Sequence, residues 1–412
     1  ALAYKKGVYP SSINQLYLAR GREEFSPDFT VPAINLRTLT LDLARAIFRV
    51  AKRNNAGAFI FEIARSEMGY TSQPAIEFSS CILAAAVAEG YRGPVFIQGD
   101  HFQVNAKKFI QNPEQEIEGL KTFINQAVEA GFYNIDIDSS TLVDLSKKDI
   151  KKQQYLNYNT CAGITQFIRR IQPRGVEVSV GGEIGEVGGK NSTAEELRAF
   201  MSGFKQRLRK GKLGISKLSV QTGTSHGGVV LPDGSIAKVN IDFDTLRDLS
   251  RIARQEFGLS GCVQHGASTL PSEAFHKFVE VETSEVHLAT EFQNMVYDNE
   301  HFPQDLRNRI YDWIKQNLFA EKKDGETQEQ FIYKTRKKAL GPFKKEIMNL
   351  PQETRDAIVA SIEEKFDFLF KQLNVINTKE LTDKYITLKR VSRRAAHKEE
   401  ASGAPEQFEG AD

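Results

Sequence analysis

The sequence of 412 residues predicts a closed (β/α)8 barrel followed by a helical C-terminal extension. Three observations support this fold. Eight short apolar segments alternate with longer amphipathic ones, as strands alternate with helices in a βα repeat. The short segments are continuous apolar runs, which is typical of parallel strands covered on both faces. Eight such units suit a closed barrel better than a doubly wound open sheet, which is the alternative fold.

The strands are predicted from these apolar segments in chain order. They cover residues 29–35, 56–63, 94–99, 134–138, 176–183, 216–221, 261–264 and 284–289. Amphipathic stretches such as 39–55, 77–91, 113–131 and 243–257 are predicted to be the intervening helices. The predicted barrel therefore spans residues 29–297, after an N-terminal arm of residues 1–28.

The chain changes character after residue 298. Residues 298–385 are charged and helical, and their last long segment carries an apolar stripe at Ile358, Ile362, Phe366 and Leu369. This spacing predicts an amphipathic helix within a helical C-terminal extension. Residues 386–412 are basic, then acidic, and poor in apolar side chains, so we expect this tail to be disordered.

The overall composition argues against several classes of partner. The formal net charge is +2, from 55 basic and 53 acidic residues, so neither nucleic acid nor a membrane surface is an expected partner. The three cysteines, Cys81, Cys161 and Cys262, lack zinc-finger or CxxC spacing. We therefore expect a cytoplasmic protein with a local site for a small anionic ligand.

Three histidines follow predicted strands at equivalent places. They are His101 in "FIQGDH", His226 in "SVQTGTSHGG" and His265 in "GCVQHGAST". In a barrel, the carboxyl ends of the strands meet at one mouth, so these imidazoles would become neighbours. Three histidines with an open fourth position form a common catalytic zinc site. Taken singly, each histidine is better explained as a hydrogen-bonded structural residue, but the three equivalent positions together favour metal ligands.

The loops that carry two of these histidines are rich in glycine. In "GTSHGG" and "HGAS", backbone N–H groups can approach a ligand closely and bind phosphate. Either loop alone is also explained by a tight turn at the end of a strand. Together, and next to candidate metal ligands, they favour an anionic substrate held beside a metal.

Three carboxylates occupy similar positions. Asp100 precedes His101, Asp138 ends "NIDID", and Glu183 ends "VEVSVGGE". An aspartate next to a metal ligand is suited to moving a substrate proton, and this is the role predicted for Asp100. Asp138 and Glu183 are predicted either to bind the metal directly or to orient its histidine ligands.

These motifs together resemble the class II, metal-dependent ketose-bisphosphate aldolases. "VPAIN" resembles the first strand of that family, with Asn35 facing substrate, and "DH" resembles its proton-transfer aspartate and first zinc ligand. "GTSHGG" and "HGAST" resemble its other zinc histidines and its phosphate-binding loops. By this resemblance, the phosphate contacts are assigned to Gly227, Gly266 and Ser268. "TRKKALGPFKKEI" resembles a helix after the barrel, whose arginine, here Arg336, reaches a phosphate in a neighbouring subunit.

The resemblance implies a reversible aldol cleavage of a ketose bisphosphate that releases dihydroxyacetone phosphate. Zn²⁺ would bind the ketose carbonyl and the adjacent hydroxyl, and Asp100 would take the C4 hydroxyl proton. The resemblance also implies a homodimer or homotetramer, and leaves open whether potassium or sodium assists phosphate binding.

Several positions depart from the family pattern. Where the family has "NIDTD" on its last strand, this chain has "HLATE", which places His287 and Ala289 at substrate-contacting positions. We expect His287 and Thr290 to contact substrate, although His287 could instead be a fourth metal ligand or a hydrogen-bond partner within the site. The acids that follow the GG loop are replaced by residues 190–193, "KNST", with Glu195 or Glu196 as candidate substitutes. Ala64 stands where a phosphate-contacting serine is expected.

Three functions remain open at this point. The first is a zinc-dependent aldolase acting on fructose 1,6-bisphosphate or a related ketose phosphate. The second is a metal-dependent lyase or isomerase with another sugar-phosphate substrate, which the altered residues His287 and Ala289 favour. The third is a non-catalytic aldolase-like subunit, although such a subunit has no chemical reason to retain Asp100 beside a metal site.

Overall fold

The computed structural model describes residues 1–185, 190–223, 231, 241–268 and 270–391, and within them nine strands form one parallel sheet. The strands are β1 Val8–Ser11, β2 Val31–Asn35, β3 Ile60–Ala64, β4 Gly93–Gln103, β5 Asn134–Asp138, β6 Ser179–Glu183, β7 Lys217–Val220, β8 Cys262–Gln264 and β9 Glu285–Leu288. Each strand from β2 to β9 lies within or across one of the eight predicted segments.

The eight strands β2 to β9 close on themselves. Each pairs with the next along the chain, and β9 returns to β2, where His287 lies beside Ala33. The β4–β5 pairing, with Gln98 beside Asn134, completes the ring. The predicted (β/α)8 barrel is therefore confirmed, and the open-sheet alternative is excluded.

Eighteen α-helices surround or follow this sheet in the described part of the chain. Up to the end of the barrel they are α1 Leu2–Lys5, α2 Asn14–Gly21, α3 Thr40–Arg53, α4 Arg65–Tyr70, α5 Ala75–Ala88, α6 Ala106–Gln111, α7 Pro113–Ala130, α8 Ile150–Gln153, α9 Tyr155–Ile171, α10 Ala194–Arg207, α11 Phe243–Phe257, α12 His276–Glu280 and α13 Thr290–Tyr297. Beyond it lie α14 Gln304–Asn317, α15 Gln328–Thr335, α16 Lys344–Met348, α17 Gln352–Gln372 and α18 Lys379–Tyr385.

The first 28 residues contribute to the base of the barrel. Strand β1 pairs with the beginning of β4, where Val8 lies beside Gly93. On α2, the buried Arg20 guanidinium donates to the backbone carbonyls of Phe29, Glu282 and Thr283. These bonds satisfy carbonyls at the amino ends of β2 and β9, so α2 closes the end of the barrel opposite its mouth.

The C-terminal extension packs on the outside of the barrel through α17. The predicted stripe of Ile358, Ile362, Phe366 and Leu369 is fully buried, and α17 lies against α3. Around this apolar contact, Glu363 pairs with Arg49 and Arg53 of α3. The helical character predicted for the extension is therefore confirmed.

None of the helices in the ranges given above combines the length and the low charge that are needed to cross a lipid bilayer.

Candidate active site

A bulge in β4 shapes the mouth of the barrel. The pairing with β5 shifts register between Gly99 and Phe102, and His101 within this shift has a φ of 39°. A β-bulge of this kind turns a side chain away from the regular alternation of a strand, and the left-handed backbone region is costly for histidine. The backbone therefore holds His101 in an unusual conformation that directs its ring over the mouth.

The ring of His101 meets residues from two other strands. Its centroid lies 4.2 Å from that of His265, which follows β8, and its Nδ1 atom lies 3.5 Å from Oε2 of Glu183 at the end of β6. One ligand atom from each of His101, Glu183 and His265 lies within 4.8 Å of the others. Two imidazoles and a carboxylate, all largely buried, match the nitrogen and oxygen donors that zinc prefers, so these residues fit a metal ion.

The third predicted zinc histidine, His226, lies outside the described residues, as does Gly227. The predicted three-histidine set is therefore represented here by His101 and His265.

Asp138 has a different environment from Glu183. Its Oδ2 atom lies 3.3 Å from His101 Nδ1 and accepts from Gln103, while its Oδ1 atom accepts from the backbone and hydroxyl of Ser140. Burial opposes ionisation, but these hydrogen bonds outweigh it and lower the pKa of Asp138 to about 2. A carboxylate occupied in this way is suited to orienting His101, whereas Glu183 is the acid that joins the possible ligand group.

Asp100 lies among three histidines. Its Oδ1 atom is 3.1 Å from His287 Nδ1, 3.5 Å from His265 Nε2 and 3.9 Å from His101 Nε2. Burial favours the neutral acid, but the charges on His101 and His287 outweigh it and lower the pKa of Asp100 well below its ordinary value. The side chain is therefore an ionised carboxylate that faces the cleft.

We call Asp100, His101, Asp138, Glu183 and His265 the mouth cluster. Burial, together with the neighbouring rings of His287 and His101, lowers the pKa of His265 well below its ordinary value. The pKa of His101 is shifted the other way: burial opposes protonation of its ring, but the carboxylates of Asp100 and Glu183 outweigh it and raise that pKa well above its ordinary value. A metal ion that bound His101 would displace this proton.

A cleft opens from the mouth cluster toward the C-terminal extension. Gly266, Ser268 and Thr290, which were predicted to bind substrate, line it together with Ala64 and Ala289. The φ of Gly266 is +67°, a conformation that favours glycine and leaves the backbone open to a ligand.

The opposite wall of the cleft comes from the extension and from a buried ion pair. Tyr333, Lys334 and Lys337 line its outer part. Deeper in the cleft, the Arg37 guanidinium bonds Glu67 at 2.6 Å. Asn35, predicted to face substrate, donates its side-chain amide to the same Glu67 carboxylate at 2.6 Å.

Arg336 lies outside this cleft lining. Its guanidinium bonds both carboxylate oxygens of Asp298, at 2.6 and 2.9 Å, and the side chain is 5% exposed. It also donates to Asn294 and stacks near Tyr297 and Tyr333. Within this chain, Arg336 therefore joins the extension to α13.

A second group of buried polar side chains, four of them ionisable, fills the barrel interior below the mouth, and sequence reasoning missed it. We call this group the floor cluster, and its members are Glu62, Gln98, Asp136, Lys217 and Glu285. The Lys217 ammonium lies 2.9 Å from Asp136 and 2.7 Å from Gln98, and it also bonds Glu285. Burial opposes protonation, but Asp136 and Glu285 outweigh it and raise the pKa of Lys217. Lys217 is therefore a fixed internal cation.

The sequence did contain a signal for the floor cluster. Glu62 is the single polar residue of the otherwise apolar strand "IFEIA", and Lys217 is a charged residue within the predicted strand at 216–221. Because buried charges require partners, such interruptions of predicted buried strands indicate residues that meet inside the barrel.

His287 connects the two clusters. Its Nδ1 atom faces Asp100, and its Nε2 atom lies 2.7 Å from Oε1 of Glu285. Burial opposes protonation of the ring, but the carboxylates of Glu62 and Asp100 outweigh it and raise the pKa of His287 well above its ordinary value.

Buried acids and histidines gather at the carboxyl ends of the strands of this (β/α)8 barrel. Because barrel enzymes place their active sites there, the fold and the site are those of a (β/α)8-barrel enzyme. A comparison with protein families specifies it further. The model of the family described as "Fructose-bisphosphate aldolase class-II" matches residues 25–374, so the chain belongs to that family.

Solved structures with the same fold are distant in sequence. A putative fructose-1,6-bisphosphate aldolase from Coccidioides immitis is 17% identical, with 89% of this chain and 97% of that chain covered and a TM-score of 0.52. A fructose-bisphosphate aldolase from Campylobacter jejuni is 18% identical, with 90% and 97% covered and a TM-score of 0.52. A probable tagatose 6-phosphate kinase from Sinorhizobium meliloti is 15% identical, with 86% and 99% covered and a TM-score of 0.58.

These likenesses show the fold, whereas the family model over residues 25–374 shows the family, of which this chain is a divergent member. Among curated proteins, no sequence matches it.

Proposed function

We propose that this protein catalyses a metal-dependent, reversible aldol cleavage of a ketose bisphosphate similar to fructose 1,6-bisphosphate. The products would be dihydroxyacetone phosphate and an aldehyde phosphate. The observation that carries this proposal is the ionised Asp100 carboxylate within 4 Å of two imidazoles that, with Glu183, have the spacing of a metal site. Family membership supports the same type of chemistry.

The metal would be zinc, held by His101, His265 and Glu183, with His226 as a further predicted ligand. A bound zinc ion would supply Lewis-acid polarisation of the substrate carbonyl. Asp138 would keep the His101 ring in its orientation, since its carboxylate lies 3.3 Å from Nδ1.

Asp100 would act as the general base in the direction of cleavage. Its carboxylate would accept the proton of the C4 hydroxyl, and the electrons of that O–H bond would form the aldehyde carbonyl. The C3–C4 bond would then break, and its electron pair would remain on the dihydroxyacetone phosphate fragment until C3 is protonated. Asp100 suits this step because the surrounding histidines keep it ionised against the opposing effect of burial, and its buried side chain is held in a fixed position.

Glu195 and Glu196, raised above as substitutes for the missing loop acids, are the candidates for the donor of the C3 proton. The Glu196 carboxylate accepts from the backbone of Thr193 and pairs with Lys190 at 2.7 Å. Glu196 therefore serves the N-terminal cap of α10, which leaves Glu195 as the described candidate.

The walls of the cleft support a phosphorylated substrate. Gly266, Ser268 and the beginning of α13 at Thr290 would hold one phosphate through hydroxyl and backbone N–H groups. Lys334 and Lys337 of the extension would hold the second phosphate at the outer edge of the cleft. The site would then recognise both ends of a bisphosphate with residues of a single chain.

The test is a panel of ketose mono- and bisphosphates assayed for release of triose phosphate by zinc-loaded protein. Asp100→Asn should lower kcat by roughly 10²–10⁴-fold, as expected for removal of a general base, while zinc content stays unchanged. Asp324→Asn, at an exposed aspartate of the extension, is the control and should keep full activity.

Full activity of metal-free protein would overturn the metal-dependent mechanism. Turnover of only another class of sugar phosphate would favour the lyase or isomerase alternative, which the residues His287 and Ala289 motivate. Inactivity on the whole panel with zinc bound would favour a non-catalytic subunit. The homodimeric or homotetrameric state, a monovalent cation and a cytoplasmic location stay predictions.

A further inference from the structure

The ring of His287 is held between carboxylates on two of its edges. Nδ1 lies 3.1 Å from Oδ1 of Asp100 and 3.1 Å from Oε2 of Glu62, while Nε2 lies 2.7 Å from Oε1 of Glu285. The side chain is only 4% exposed. Both nitrogens are therefore engaged by protein carboxylates, although the residue lines the cleft.

Glu285, which fixes the lower edge of this ring, is itself held from several directions. Its Oε1 atom accepts from Lys217 and from Gln98, and its Oε2 atom accepts from the hydroxyl of Tyr17. Tyr17 lies on α2 at the base of the barrel. A continuous chain of hydrogen bonds thus runs from α2, through Glu285 and His287, to Asp100 at the mouth.

We propose that His287 is a positioning residue, which orients the Asp100 carboxylate for proton transfer and is itself fixed by Glu285, Lys217 and Tyr17. This inference rests on the proposed function of Asp100. On this proposal, His287 of β9 acts by orienting Asp100 and makes no direct contact with substrate.

The physical reason is the geometry that proton transfer requires. A carboxylate can rotate about its side-chain torsions, and a general base works only within hydrogen-bond reach of the proton that it accepts. A donor on a fixed ring removes that freedom before substrate binds, which is a saving in orientation entropy. Buried hydrogen bonds restrict the rotation of the groups that they join, so the bonds of Glu285 with Lys217 and Tyr17 can transmit this constraint from α2.

Three substitutions at His287 separate the two edges of the ring. In His287→Asn, the amide nitrogen can take the place of Nδ1 and donate to Asp100. In His287→Gln, the longer amide can take the place of Nε2 and reach Glu285 instead. His287→Ala makes neither contact. His287→Asn therefore keeps only the contact with Asp100, and His287→Gln keeps only the contact with Glu285.

The experiment measures kcat, KM and bound zinc for each variant on the substrate that the wild-type protein cleaves. His287→Ala and His287→Gln should lower kcat by roughly 10–100-fold, as outer-shell substitutions do. His287→Asn should recover most of that loss. KM and zinc content should stay within about 2-fold of wild type, because on this proposal the ring contacts neither substrate nor metal.

A remote variant tests the lower part of the chain. Tyr17→Phe removes only the hydroxyl that bonds Glu285, and should lower kcat by about 2–5-fold with KM unchanged, a modest effect for one buried hydrogen bond. The control is Tyr91→Phe, which removes another buried hydroxyl, bonded to the backbone carbonyl of Pro94 at the beginning of β4. This control should keep the kcat of the wild type.

Each contrary result has a distinct meaning. A raised KM with unchanged kcat in His287→Ala would assign the ring to substrate binding, and loss of zinc would assign it to the metal; either would overturn the proposal. Equal kcat losses in the Asn and Ala variants would also overturn it. If the wild type cleaves nothing, the proposed function fails. In that case, the hydrogen bond between His287 and Asp100 is tested by NMR, through low-field imidazole N–H proton resonances that should be present in the wild type and absent in His287→Ala.

Discussion

The mouth cluster and the floor cluster both contain several buried carboxylates, but the charge of those carboxylates is balanced differently in the two. In the floor cluster, the Lys217 ammonium lies between Asp136 and Glu285 and balances their charge. In the mouth cluster, His101, Glu183 and His265 converge with the spacing of metal ligands, and no lysine or arginine is among the described residues of that group. A family resemblance identifies the mouth, whereas the partners within the floor cluster are identified only by the three-dimensional structure.

This comparison explains why similar groups of acids and histidines differ in function. Asp136, Glu285 and His287 also have ligand atoms within 4.8 Å of one another, which on distance alone is a metal site. Lys217 occupies that position, so the floor cluster is a structural network. A group of buried carboxylates is therefore a candidate metal site only where the protein supplies no cation of its own.

The largest effect on the free energy of unfolding is expected from Lys217→Met, which removes the cation that distinguishes the floor cluster from the mouth cluster. The change retains most of the volume but leaves Asp136 and Glu285 buried without their ammonium partner. We expect a loss of about 3–5 kcal/mol in the free energy of unfolding, as found when one partner of a buried ion pair is removed. Urea denaturation of metal-free protein measures it. Lys212→Met, at an exposed lysine before β7, is the control, and a loss below about 1 kcal/mol would contradict the role of Lys217.

A smaller effect on stability is expected at Gly181, because the floor cluster packs closely against this residue. A Cβ atom added at Gly181 would lie 2.3 Å from Oδ1 of Asp136 and 3.0 Å from Cε of Lys217. Gly181→Ala should therefore destabilise the protein by about 1–3 kcal/mol, as overpacking does. Thermal denaturation measures it. Gly163→Ala on α9 points into open space and should be neutral or stabilising, so equal effects at the two sites would refute this account.

The smallest effect is expected at the exposed ion pairs that attach α17. Partial burial opposes ionisation of Asp367, but hydrogen bonds from Lys371, Asn54 and Arg53 outweigh it and lower the pKa of Asp367 to about 2. Because the folded-state pKa is depressed, this stabilisation is present above about pH 4 and is lost as the pH falls toward 2. Solvent screening limits it to about 0.5 kcal/mol.

Asp367→Asn should accordingly lower stability slightly at pH 7 and have no effect near pH 2. Denaturation curves at the two pH values measure the difference. A penalty that is equal at both would show that the carboxylate charge is not responsible.

The sequence by itself determined the barrel and much of its mouth. Continuous apolar runs at eight places specify strands buried on both faces, and the positions of Asp100, His101 and His265 follow once strand ends converge. The apolar stripe from Ile358 to Leu369 was equally readable, because helical periodicity is a local property.

Only the tertiary structure decided which buried charges are partners. The bulge that turns His101 over the mouth depends on pairing with β5, more than thirty residues away. Tyr17, Lys217 and Glu285 are separated by long stretches of chain, and no local pattern specifies that they meet inside one barrel. The physical reason is that strand identity is set by neighbouring residues, whereas the charge balance of a buried site depends on every strand that encloses it.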